Sequence, residues 1–68
     1  MEKQNPYKRA GEVLYQVRES LGLSQAQLGA IANVSQSSVS RWERGLDAPD
    51  LVQAAAIERM TGKDLRVF

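Results

Sequence analysis

An all-α domain is what this chain is expected to form, and three features argue for it. Apolar residues recur at helical spacing: Ala10, Leu14, Val17 and Leu21 fall four, three and four apart, Leu28 pairs with Ala32, and Val39 pairs with Trp42. Residues that open helices stand just ahead of two of these runs. Ser24 with Gln27 three places on has the pattern of a capping box, and Ser35 can cap alone, with Ser38 where the full box would want Glu or Gln. Residues that close helices stand behind them: Asn33, which tolerates a left-handed backbone, then Gly45 and Gly62.

In chain order, residues 1–6 read as a mobile N-terminal arm, with Pro6 at or just before a helix start. The first helix is expected from about Tyr7 to Leu21, burying the stripe Ala10, Leu14, Val17, Leu21. Val13 and Tyr15 fall off that stripe, either as scattered surface residues or as a patch for the C-terminus or a second copy. The second helix follows Ser24. Its Gly29 and Ala32 are small enough for a neighbouring helix to cross closely, and Asn33 marks the reversal. The third runs from Ser35 or Gln36 to Arg44, with Val39 and Trp42 inward and Arg44 placed to favour the negative helix end. Pro49-Asp50 starts a fourth, proline at a first-turn position and acid near the positive end. Leu51, Ala54, Ala55, Ile57 and Met60 are expected to close the bundle, and Thr61-Gly62 to end it. The tail, residues 63–68, carries Leu65, Val67 and Phe68. These suit a short helix or strand over the core, or a contact between two subunits.

Composition narrows the function. At 68 residues there is one domain, with a core in the range that supplies roughly 3–5 kcal/mol. There is no Cys and no His, which excludes disulfides and zinc fingers and removes the usual nucleophile–base pairs. No enzyme, metal, cofactor or small-molecule ligand is therefore expected. No apolar run reaches membrane-spanning length, and MEKQNPYKRA lacks the apolar segment of a secretion signal, so a cytoplasmic protein without membrane association is expected. A net charge of +1 gives weak support to nucleic-acid binding. Its distribution adds a little: through Gly45 the bases are Lys3, Lys8, Arg9, Arg18, Arg41 and Arg44 against the acids Glu2, Glu12, Glu19 and Glu43, and the balance reverses afterwards.

The stretch LSQAQLGAIANVSQSSVSRWERG, Leu23 to Gly45, resembles the helix-turn-helix of the lambda-repressor-like (Cro and XRE-type) DNA-binding family. The likeness covers about Leu14 to Gly62 and includes Leu21-Gly22-Leu23-Ser24-Gln25, Val39, Trp42-Glu43-Arg44-Gly45 and Pro49. It implies a compact bundle of four or five helices over residues 7–62, acting as a homodimer on a near-palindromic double-stranded operator. The end of the chain, Ala56 to Gly62 followed by Asp64-Leu65-Arg66, resembles phage Cro-like and prophage regulators.

With Val39 and Trp42 turned inward, Gln36, Ser37, Ser38, Ser40 and Arg41 are left for solvent or ligand. The first turn of such a helix faces base edges. Gln36 offers a donor and an acceptor side by side, matching adenine N6 and N7, and Arg41 can fork onto guanine O6 and N7 or clamp a phosphate. Ser37 discriminates weakly. Base contacts are thus expected from Gln36, Ser37 and Arg41, and phosphate contacts from the short hydroxyls of Ser38 and Ser40 and from Arg44. Gln25 joins the phosphate set because it lies at a helix N-terminus, which attracts anions. The resemblance implies the same role for it, and a contact with Gln36. Lys8 and Arg9 (with Lys3) are candidate arm contacts to phosphates. The resemblance further implies an ion pair between Arg18 and Glu43 that locks the third helix against the first. It also leads to basic residues being expected in the loop after Gly45, where Asp47 stands instead. The function expected is a sequence-specific transcriptional regulator, a repressor. The alternative is an antitoxin or adaptor of the same fold that holds a protein partner.

Overall fold

The computed structural model describes residues 7–62, and the arm (1–6) and tail (63–68) lie outside them. The described residues form four helices and no strand: α1 Lys8–Ser20, α2 Gln25–Ala32, α3 Gln36–Glu43 and α4 Leu51–Thr61. α2 and α3 pack on each other, α1 lies on α3, and α4 lies on α2.

The expected caps set the starts of α2 and α3. Ser24 accepts from the Gln27 amide at 3.0 Å while the Gln27 side chain accepts from the Ser24 amide at 2.7 Å, a complete capping box. Ser35 caps α3 through the Ser38 amide at 3.3 Å. Asn33 adopts φ 61°, so the chain leaves α2 through a left-handed residue and enters α3 after only two more. α4 differs in detail from the expectation. Its cap is Asp50, in a second full capping box with Gln53, and Pro49 stands one residue outside it rather than in the first turn. The acid accepts from the helix amides directly, which fixes the boundary there.

The core is small: Ala10, Leu14, Leu28, Ala32, Val39, Trp42 and Ile57 are buried, and Val13, Val17, Ile31 and Val34 pack partly buried around most of them. Two expectations about α1 need correction. Val13 belongs to the buried side, because it is three residues from Ala10 and four from Val17. Leu21 does not, because α1 ends at Ser20 and the chain turns away there, leaving it 39% exposed. The expectation for α4 fails more widely. Ile57 is fully buried and Ala54 half-buried, but Leu51 is 89% and Met60 68% exposed, and Ala55 is exposed as well. At about 100° per residue, Ala54, Ile57 and Thr61 share the face turned to α2, whereas Leu51 and Ala55 lie on the other side. Val52, 77% exposed, joins them there.

Candidate nucleic-acid interface

α3 is amphipathic in an informative way. Val39 and Trp42 anchor one side in the core. Projected at about 100° per residue, Gln36, Ser40, Arg44, Ser37 and Arg41 follow one another around the opposite side. Gln36, Ser37, Arg41 and Arg44 are exposed; Ser38 and Ser40 are half-buried. Ser38 sits on the flank, its hydroxyl 3.4 Å from that of Ser35. The Arg44 guanidinium folds back to donate to the Ser40 carbonyl at 3.3 Å. Lys8 and Arg9 are exposed on the first turn of α1. In the loop after Gly45, the Asp47 carboxylate accepts from the Ala48 amide, which occupies an acid where a base would reach for phosphate.

The scaffold behind that face is fixed by two close approaches. The Arg18 guanidinium donates to Glu43 twice, Nε to Oε2 at 2.6 Å and Nη2 to Oε1 at 3.0 Å, while Nη1 donates to the Leu23 carbonyl at 2.9 Å. The two side chains are 10% and 7% exposed, so the forked pair ties α1 to the end of α3 out of reach of most water. The Glu43 hydrogen bonds hold the Arg18 charge in place, raising its pKa against the opposing effect of burial. Tyr15, three residues before it, lies under the guanidinium at 5.4 Å from the ring centroid. The second approach is backbone on backbone. Gly11 is buried where α1 crosses the end of α3, and a Cβ there would stand 2.4 Å from the Trp42 carbonyl oxygen. Gly29 does the same for α2, 2.7 Å from the Val34 carbonyl oxygen.

A polar chain then runs from this ion pair to the exposed face. Gln25 Nε2 donates to Glu43 Oε1 at 3.1 Å, and Gln36 Nε2 donates to Gln25 Oε1 at 3.2 Å. Gln25 and Gln36 therefore meet, as their resemblance to the family implies. The Gln25–Glu43 link, the Leu23 carbonyl and the Gly11 crossing were not anticipated. Of these, only Gly11 leaves a trace in the sequence: a glycine inside a strongly periodic helix, where alanine would favour the helix by about 1 kcal/mol.

Residues 14–68 match the family model described as helix-turn-helix. The chain belongs to the Cro/C1-type, XRE-like helix-turn-helix family. As a member of the Cro/C1-type family it is a DNA-binding transcription regulator. A search of the curated proteins and one of the solved structures give no significant match. Among the described residues no helix is long and apolar enough to cross a membrane, and no group of three or more Asp and Glu could hold a metal ion.

Proposed function

We propose that the protein is a repressor that binds a near-palindromic operator as a homodimer, residues 7–62 forming the DNA-binding domain. The observation that carries this is the outer side of α3. Its protruding tips are uncharged or cationic, and its other side is buried and braced by Arg18 and Glu43. Such a helix suits the major groove, with its first turn against base edges. Gln36, Ser37 and Arg41 would read bases. Gln25, Ser38, Ser40 and Arg44 would hold phosphates, with Lys8 and Arg9 assisting, and two copies would set their recognition helices about 34 Å apart. Selection from random duplexes with a salt titration tests this. A symmetrical consensus and steep salt dependence are expected; no enrichment at any ionic strength would refute it.

Gln36→Ala should cost about 1–3 kcal/mol on the selected site and relax preference at one base pair per half-site. Equal losses on selected and random DNA would rule Gln36 out as a base reader. Gln25→Ala removes a phosphate contact and should weaken binding to both.

The outer side of α4 supports the homodimer. Leu51, Val52, Ala55 and Met60 are exposed there with Arg59, and the half-buried Glu58 flanks Leu51. The pattern is self-complementary. Antiparallel pairing about a two-fold axis sets Leu51 of one copy opposite Met60 of the other, with the small Ala55 and Ala56 at the crossing. Leu51→Glu with Met60→Glu should yield a monomer by sedimentation whose melting temperature no longer depends on protein concentration. A lowered melting temperature at constant mass would mean that the chain itself covers this face, and an unaltered dimer would place the contact elsewhere.

A further inference from the structure

We infer that Glu43 is a positioning residue for sequence reading: acting through Gln25, it determines which end of the Gln36 amide is turned toward the groove. This rests on the proposal that Gln36 meets a base edge. A glutamine amide is chemically two-ended, and turned by 180° it offers NH2 where it had offered oxygen. Glu43 removes that freedom at the start of the chain. Its carboxylate can only accept, and Oε1 already receives Arg18 Nη2 at 3.0 Å, so Gln25 must approach with Nε2, as it does at 3.1 Å. Gln25 then turns Oε1 toward α3. There it can only be met by a donor, and Gln36 supplies Nε2 at 3.2 Å.

Gln36 is thereby left with its carbonyl oxygen and its second N–H for a ligand. That pair complements adenine, whose N6–H2 donates and whose N7 accepts. Guanine presents two acceptors, and its O6 would face the Gln36 oxygen. Reversing Gln36 would lose adenine, NH2 then facing N6–H2 and oxygen facing N7, without suiting guanine, and would set its oxygen against that of Gln25. Reversing both would set the Gln25 oxygen against the Glu43 carboxylate, itself 7% exposed and fixed by the Arg18 fork. The cost of the wrong orientation is thus carried back from an exposed side chain to a buried ion pair.

The test compares the whole chain with its Glu43→Gln, Glu43→Asp and Gln36→Ala variants, each titrated against duplexes bearing the four base pairs at the position that Gln36→Ala identifies. Glu43→Gln can offer either oxygen or NH2, so the relay loses its direction. The preference for adenine over guanine should fall about twofold, the half of the Gln36 amides left reversed, and more than affinity for random DNA falls. Glu43→Asp keeps an acceptor-only group and should retain the order of preference at reduced affinity. If Glu43→Gln weakens all duplexes alike, the residue is merely structural and the inference is wrong. A measurement on the wild-type chain without DNA covers the case in which Glu43→Gln does not fold. Through-hydrogen-bond NMR couplings should link the Gln25 amide nitrogen to the Glu43 carboxylate carbon, and the Gln36 amide nitrogen to the Gln25 carbonyl carbon. Two interconverting orientations of Gln25 would overturn the relay. If Gln36→Ala relaxes no base pair, base reading by Gln36 fails while the couplings still judge the relay on its own.

Discussion

Gly11→Ala is expected to lose about 3 kcal/mol in urea unfolding, most of the stability that a core of this size supplies. On helix propensity alone the change would be favourable by about 1 kcal/mol. Tertiary structure reverses the sign. The new Cβ would lie 2.4 Å from the Trp42 carbonyl oxygen and 2.9 Å from that of Glu43, both backbone atoms at the end of α3 that no rotamer change can move. α1 would have to back away from α3. That would lengthen the Arg18–Glu43 bonds, now 2.6 and 3.0 Å, and open the side of the core where Leu14 packs with Trp42. Overpacking costs typically about 1–3 kcal/mol and occasionally more, against roughly 3–5 kcal/mol from a core of this size. The single tryptophan is 3% exposed, so its fluorescence in a urea titration reads the loss directly. Gly22→Ala is the control. Gly22 has φ +69° but no atom within 4 Å of a Cβ, so it should lose only the roughly 1–2 kcal/mol of a left-handed alanine. Equal losses in the two variants would mean that the crossing tolerates a methyl group.

The contrast between these glycines shows where sequence patterns carry information and where they do not. Caps and reversals are local, and Ser24, Asn33, Ser35 and Gly45 each hold the place and conformation that their neighbours imply. The inward side of α3 was equally legible, since Val39 and Trp42 lie three apart and leave the polar tips no other direction. α4 was not. Its sequence is apolar nearly all round, so periodicity could not say which side meets α2, and the answer depends on where a loop of seven residues delivers the helix. The relay from Glu43 through Gln25 to Gln36 was half legible. The Arg18–Glu43 and Gln25–Gln36 pairs followed from resemblance, but the bond joining them depends on distances between side chains 18 positions apart. No spacing rule encodes that.

Arg18→Met should cost about 3 kcal/mol in urea unfolding, and adding Glu43→Leu should recover most of it. The reason lies in what each change leaves behind. Methionine can cover the apolar path of the arginine stem, but Glu43 at 7% exposure then keeps its charge with, among the described residues, the Gln25 amide alone to answer it, and the Leu23 carbonyl loses its donor. Breaking a buried pair by removing one member costs roughly 3–5 kcal/mol, and the low end applies here because the pair lies near the rim of a small domain, with Arg18 still a tenth exposed. Replacing both members by apolar residues of similar volume removes the stranded charge, which is often neutral or stabilising. A double-mutant cycle isolates the coupling; a coupling near zero would show the pair to be ordinary solvated surface charge. The double variant also separates stability from reading. It should fold nearly as well as the wild type, yet it has no acceptor for Gln25, so Gln36 is free to present either end of its amide. A protein that melts normally and binds DNA with blurred preference at one base pair is the expected phenotype. Unblurred preference in that variant would mean that Gln36 needs no support from the ion pair behind it.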